Sequence, residues 1–191
     1  MNEKKILKIF RDTGALLEGH FVLTSGRHSP SYFQCAKVLQ FPQHLSFFAK
    51  LIADNYIDNK PDVVISPAIG GVVLGTEVGR LLNVKTIFAE RKNGEMCIRR
   101  GFNIESNQKF LVVEDVITTG GSVLEVIREV KKDGGHVSGV AVMVDRSNGN
   151  VSLHKNQFSI IALDAISYSE NNIPDSLNTI PVQKPGSRSI I

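Results

Sequence analysis

The run Phe110-Leu-Val-Val-Glu-Asp-Val-Ile-Thr-Thr-Gly-Gly-Ser122 constrains this chain more than any other stretch. A short apolar strand leads into two acids, then two threonines, two glycines and a serine. A helix follows, with Val123, Val126, Ile127 and Val130 on one face. In open parallel sheets, ligands bind beyond the carboxyl ends of the strands. Glu114 and Asp115 lie at such an end and can hold hydroxyl groups. The turn from Thr118 to Ser122 opens a helix, whose first N–H groups and partial positive charge favour a phosphate. Gly120 and Gly121 let the backbone approach closely, and Thr118, Thr119 and Ser122 add hydroxyl donors. The combination points to a site for a phosphorylated sugar. It is not a P-loop, because no Gly-Lys-Ser/Thr follows, and its glycine spacing is not that of a dinucleotide fingerprint. A merely capped helix after a buried strand would also use Ser, Thr and acids here. The order strand, acids, turn, helix favours the phosphate.

Strands and helices alternate around this run. Residues 62–66, 84–89, 110–114, 137–144 and 158–163 read as strands. Residues 71–82 and 122–132 read as helices, the second ended by Gly134-Gly135. Such alternation predicts a mostly parallel sheet covered on both faces, an α/β fold. Ahead of it, residues 3–13 read as a helix closed by Gly14. Residues 15–34 read as a small hairpin or loop-rich lobe. Residues 43–58 form an amphipathic helix with Leu45, Phe48, Ala49, Ile52 and Tyr56 on one face. Residues 90–101 read as polar and irregular, and the tail from Ser169 as loop.

Composition excludes several classes. The net charge of +3 does not argue for a nucleic-acid partner. Cys35 and Cys97 have neither metal-ligand spacing nor a disulfide framework, which fits a reducing compartment. Met1-Asn-Glu-Lys-Lys5 lacks the apolar core of a signal peptide, and no apolar run reaches bilayer length. A cytoplasmic protein with no membrane partner is expected.

Val112 to Ser122 resembles the phosphoribosyl diphosphate motif of the type I phosphoribosyltransferases, with Glu114 where Asp is commoner. The resemblance implies that Glu114 and Asp115 hold the ribose 2- and 3-hydroxyls. It implies that Val116, Ile117, Thr118, Thr119, Gly120, Gly121 and Ser122 surround the 5-phosphate. Other segments resemble the orotate-using branch of the family. Gly19-His-Phe-Val-Leu-Thr-Ser-Gly-Arg-His-Ser-Pro-Ser-Tyr-Phe33 is one. There Tyr32 and Phe33 would pack on a flat pyrimidine, and backbone amides of Thr24, Ser25 and Gly26 would read its polar edge. A β-turn with core aromatics is the other reading of those residues.

Ser66-Pro-Ala-Ile-Gly-Gly71 resembles the diphosphate loop of the fold, formed here by Ala68, Ile69, Gly70 and Gly71. Ala68–Ile69 is the candidate for the non-proline cis peptide found there, although the glycines could simply open a helix. Ala89-Glu-Arg-Lys-Asn-Gly-Glu-Met-Cys-Ile-Arg-Arg-Gly101 resembles the family's mobile loop, which closes over the site and reaches into the neighbouring subunit of a dimer. Arg91 and Lys92 match the family's Arg-Lys pair. Arg99 and Arg100 would carry the diphosphate-facing charge that other members place on Lys and His. Without the resemblance, such a cluster reads as a solvated loop. Arg146 aligns with the family's Asp-Arg and, with Thr118, is implied to contact orotate, its planar guanidinium suiting a carboxylate.

The resemblance runs to Lys184-Pro-Gly-Ser-Arg188 and implies the phosphoribosyltransferase fold in one domain. That fold is a five-stranded, mainly parallel sheet flanked by helices over about residues 41–164, with a small hood from about 1–40 plus 165–191. It implies Mg²⁺ held mainly through the substrate rather than by direct protein ligands. It also implies a homodimer with shared sites. The implied reaction joins orotate to the ribose of 5-phosphoribosyl 1-diphosphate, giving orotidine 5-phosphate and diphosphate, in pyrimidine (UMP) synthesis. One alternative is another nucleobase enzyme of the fold, opposed by the Ser-Gly-Arg-His-Ser-Pro segment and Arg146. The other is a non-catalytic regulator sensing phosphoribosyl diphosphate, opposed by the lack of a clustered basic face.

Overall fold

The structure, a computed structural model, describes residues 3–23 and 25–184. Thr24 and the 185–188 end of the family resemblance lie outside the described residues. In chain order the elements are α1 (Glu3–Asp12), β1 (Leu16–Val22), β2 (His28–Phe33), α2 (Ala36–Leu39), α3 (Pro42–Tyr56), β3 (Val63–Pro67), α4 (Gly70–Leu82), β4 (Lys85–Lys92), β5 (Glu95–Ile98), β6 (Lys109–Ile117), α5 (Gly121–Lys132), β7 (His136–Asp145), β8 (Gln157–Ala162), α6 (Asp175–Asn178) and β9 (Val182–Gln183). They form two compact units. One combines the residues up to Val38 with those from Asp164, and the other is Leu39–Leu163.

The larger unit is a six-stranded sheet in the order β5-β4-β3-β6-β7-β8. Strands β4, β3, β6, β7 and β8 are parallel, as the alternation of strands and helices predicts. Strands β6 and β7 are buried almost end to end, because helices cover both of their faces. On one face Val123, Val126, Ile127 and Val130 of α5 pack on Val63, Ile65, Val112, Val140 and Val142. On the other, α4 packs against β3, β4 and β6, and against α3. Tyr56, at the end of α3, is fully buried and its hydroxyl donates to the Val140 carbonyl at 2.8 Å. Burial pushes the Tyr56 hydroxyl pKa well up, so it remains a proton donor.

The sixth strand is a correction to the reading of residues 90–101 as irregular. Strand β4 runs on to Lys92, and β5 returns antiparallel with Lys92 opposite Glu95 and Ala89 opposite Ile98. The cause is Asn93-Gly94, both at positive φ (55° and 89°), a two-residue turn whose twist suits a hairpin. Met96 then tucks into the α5-side core at 7% exposure.

In the smaller unit β1 pairs antiparallel with β2 and parallel with β9. Helix α1 turns Ile6 and Phe10 inward, and Phe10 meets Phe33 edge-on with ring centroids 4.8 Å apart. The tail is not loop throughout, since it contains a 3-10 turn at Glu170–Asn172, then α6 and β9. Buried Leu177 anchors it. The Arg27 guanidinium donates to the Ser167 hydroxyl and carbonyl at 2.8 and 2.6 Å.

Helix α4 can approach the sheet because two positions one turn apart lack side chains. A Cβ at Gly75 would strike Ser66 Oγ, and one at Gly79 would strike Thr86 Cγ2. Gly79→Leu improves helix propensity, so any loss is steric. We expect its urea midpoint to fall by the equivalent of about 1–3 kcal/mol at constant m-value. An unchanged midpoint would mean that α4 can back away freely.

Candidate active site

Three strand ends converge in the larger unit. Strand β6 carries Glu114 and Asp115 and continues beyond them to Ile117, three residues further than its apolar run suggested. Strand β3 ends at Pro67 and passes through Ala68–Ile69, whose peptide is cis, into α4. Strand β7 ends at Asp145, opposite Ile117.

The two acids rest on the two glycines that open α4. A Cβ at Gly70 would collide with the Asp115 carboxylate. One at Gly71 would lie 2.8 Å from Glu114 Oε1 and 2.9 Å from the Val113 carbonyl. Neither contact requires positive φ; glycine is needed there for the room it leaves. Asp115 Oδ1 accepts the Val116 N–H at 2.9 Å, and Glu114 Oε1 accepts the Asp115 N–H at 3.1 Å. Glu114 is 8% exposed. Burial, and then the negative charge of Asp115, push its carboxyl well above the usual carboxylate range. Ile69, by contrast, projects into solvent at 84% exposure.

The turn after β6 forms a cavity of 260 Å³ lined by Val116 to Val123, with Arg91 and Glu125 at its rim. Gly120 sits at the N-cap of α5 with φ 74°, a left-handed position, and no side chain caps the helix. The first N–H groups of α5 and the hydroxyls of Thr118, Thr119 and Ser122 line one concave surface, the arrangement that takes an anion.

Arg146 follows directly after β7. Its N–H donates to the Ile117 carbonyl at 2.8 Å, which fixes it beside the start of the cradle. The adjoining turn is closed by Asp145, whose Oδ1 accepts from the Ser147 N–H and hydroxyl at 2.7 and 2.6 Å.

The cationic segment divides in two. Arg91, on the α5-facing side of β4, pairs with Glu125 at 2.7 Å and donates to the Gly94 carbonyl at 2.7 Å. Lys92 is exposed at the end of β4, beside the hairpin turn. Arg99 and Arg100 come after β5, and both pair with Glu90. Sequence reasoning singled out neither Glu90 nor Glu125. The alternation of β4 around the Asn93-Gly94 turn was the signal that would have set Glu90 and Arg91 on opposite faces.

In the smaller unit Ser25 and Gly26 lie in the exposed turn between β1 and β2. Tyr32 is half-buried, and its hydroxyl donates to Gln34 Oε1 at 3.2 Å. Phe33 is 7% exposed and packed on Phe10, so it belongs to the core and is withdrawn as a base contact. Adjacent strand residues point to opposite faces, so Tyr32 and Phe33 could not both have faced a ligand.

Comparison with known proteins agrees with this geometry. The phosphoribosyl transferase domain profile matches residues 36–168. The chain is 57% identical over 189 residues to the orotate phosphoribosyltransferase of Chlorobaculum parvum, covering 99% of this chain and 98% of that one. It is 50% identical over 190 residues to that of Pelotomaculum thermopropionicum, covering 100% of both. Among solved structures it is similar to the orotate phosphoribosyltransferase of Aeropyrum pernix, with TM-score 0.70 and 23% identity over 83% of this chain and 93% of that one. The adenine phosphoribosyltransferase of Thermoanaerobacter pseudethanolicus gives TM-score 0.62 and 17% identity over 70% and 88%. At such identities the structural likenesses speak for the fold, while the domain match and the full-length relatives settle kinship. The chain belongs to the phosphoribosyltransferase family.

Proposed function

We propose that the protein is an orotate phosphoribosyltransferase, transferring ribose 5-phosphate from 5-phosphoribosyl 1-diphosphate to orotate in pyrimidine nucleotide synthesis. One observation carries the reading. The backbone N–H of Arg146 is held on the Ile117 carbonyl, beside the cavity of the turn after β6, in a chain 57% identical along its length to a protein named for orotate.

In this reading the cavity of Thr118 to Ser122 holds the 5-phosphate, and Glu114 and Asp115 accept hydrogen bonds from the ribose hydroxyls. Backbone N–H groups of Ala68 to Gly71 face the diphosphate at the start of α4. The Arg146 fork pairs the orotate carboxylate, with Thr118 beside it. Base recognition by Tyr32, Ser25 and Gly26 is part of the same proposal. The bond from ribose C1 to the diphosphate oxygen breaks as orotate N1 bonds to C1, and the N1 proton passes to the departing diphosphate or to water. The diphosphate leaves with the electron pair. Positive charge develops on the sugar, so excluding water protects it from hydrolysis. Arg91, Lys92, Arg99 and Arg100 supply cations to a leaving group that gains negative charge.

Among the described residues no group of three or more His, Cys, Asp or Glu side chains converges. Glu114 and Asp115 offer two carboxylates, and Mg²⁺ characteristically takes one or two with substrate oxygens and water. The residues fit a Mg²⁺ held mainly through the diphosphate, with Glu114 and Asp115 beside it, which when bound would supply charge neutralisation. We further place the enzyme in the cytoplasm as a homodimer with shared sites. No helix among the described residues is long and apolar enough to cross a membrane.

Mg²⁺-dependent loss of orotate absorbance on adding phosphoribosyl diphosphate tests the activity, and a purine enzyme or a sensor would leave the signal flat. Asp115→Asn removes the charge beside the ribose hydroxyls and is expected to lower kcat about a hundredfold; wild-type steady-state kinetics would refute its role. Arg146→Ala should raise the orotate KM about ten- to a hundredfold and that of phosphoribosyl diphosphate much less. The opposite order would exclude carboxylate pairing. If sites are shared, heterodimers of Asp115→Asn with Arg100→Ala should regain activity through one intact site. No recovery in verified heterodimers would assign each site to a single chain.

A further inference from the structure

Glu90 holds two arginines on one carboxylate, and the resemblance that covers its segment gives it no role. On β4 it shares a face with Phe88, two residues earlier. Arg100 lays its fork across the Glu90 carboxylate, with Nε to Oε1 at 3.1 Å and Nη2 to Oε2 at 2.9 Å. Arg99 Nη1 approaches Oε1 at 3.4 Å. The Arg100 guanidinium also lies 5.7 Å over the ring of Phe88, which meets Phe102 edge-on at 5.2 Å.

The backbone is shaped for this contact. Arg100 stands at φ 61° and Gly101 at φ 78°, and the Phe102 N–H donates to the Arg99 carbonyl at 3.1 Å. A bulky residue rarely adopts positive φ. Here that conformation folds the segment after β5 back along β4 and returns both guanidinium groups to one carboxylate. The Arg100 fork lowers the Glu90 carboxyl pKa, with a smaller contribution from Arg99, so Glu90 remains an anion at neutral pH.

We propose that Glu90 is a resident counter-anion for the lid, occupying the donors of Arg99 and Arg100 that the substrate diphosphate needs and yielding them when that anion arrives. The inference rests on the reading that these arginines serve the diphosphate. The Nε and Nη2 donors of Arg100 point at Glu90 and cannot make the same fork to a second anion. A diphosphate that takes those two donors therefore exchanges with Glu90. A single carboxylate in water holds the two cations loosely enough to lose them to a more highly charged diphosphate. Weaker anions do not displace it, so the lid arginines remain paired until the correct ligand is present. Glu90 is thus a positioning residue that acts through the arginines and does not itself touch substrate.

The test is Mg²⁺-diphosphate binding by calorimetry, with steady-state kinetics alongside. Glu90→Gln keeps the side chain's size and removes its charge. It should tighten diphosphate binding and lower the KM for phosphoribosyl diphosphate, each about two- to fivefold, leaving the orotate KM unchanged. Glu95→Gln, an exposed acid on the same hairpin, should give no such gain. Adding Arg99→Ala and Arg100→Ala to Glu90→Gln should abolish the gain. Unchanged or weaker diphosphate binding in Glu90→Gln overturns the proposal, as does a gain that survives loss of both arginines. If Arg99→Ala and Arg100→Ala singly bind diphosphate like wild type, the lid reading itself fails. If they bind it more weakly and Glu90→Gln shows no gain, only the role of Glu90 fails.

Discussion

Everything at this site depends on two carboxylates being seated on two glycines. Parallel neighbours β3 and β6 end side by side, which brings the tip of one against the first turn of the helix that follows the other. Side chains at Gly70 and Gly71 would push α4 away and carry its N-terminus with it. The contact therefore sets the relative position of the acids and the helix end. It also takes Glu114 out of water, and its raised proton affinity records the cost of burying that charge beside Asp115.

Charge is distributed around this contact in a consistent way. Anionic side chains occupy the middle, and the N-termini of α4 and α5 present their amides on either side. Three arginines of the β4–β5 region are paired with acids of their own chain, Arg91 with Glu125 and Arg99 and Arg100 with Glu90. The protein thus neutralises much of its own cationic edge.

Much of this was legible in the sequence, for physical reasons. The strands β3, β6 and β7 are buried on both faces and read as unbroken apolar runs. The tight turn that opens α5 was legible because few residue types besides glycine take the left-handed position it needs. Other features are set by contacts distant in sequence. The need for glycine at 70 and 71 comes from acids more than forty residues away, and at 75 and 79 from Ser66 and Thr86. Phe33 looked like a base contact until strand alternation turned it toward Phe10. The hairpin at Asn93-Gly94 was missed because its polar, charged flanks hid a strong turn signal, with Met96 and Ile98 as the apolar clues. Strand β9, only two residues long, shows no period at all.

The bond from the Arg146 N–H to the Ile117 carbonyl makes the β6–β7 pair a ruler. The cradle hangs from the end of one strand and the guanidinium from the end of its neighbour, and strands lie about 4.8 Å apart whatever their side chains. The span from the Thr118–Ser122 turn to residue 146 is consequently written in the backbone of the sheet. A substitution at residue 146, just past the tip of β7, would therefore leave the turn that follows β6 where it is.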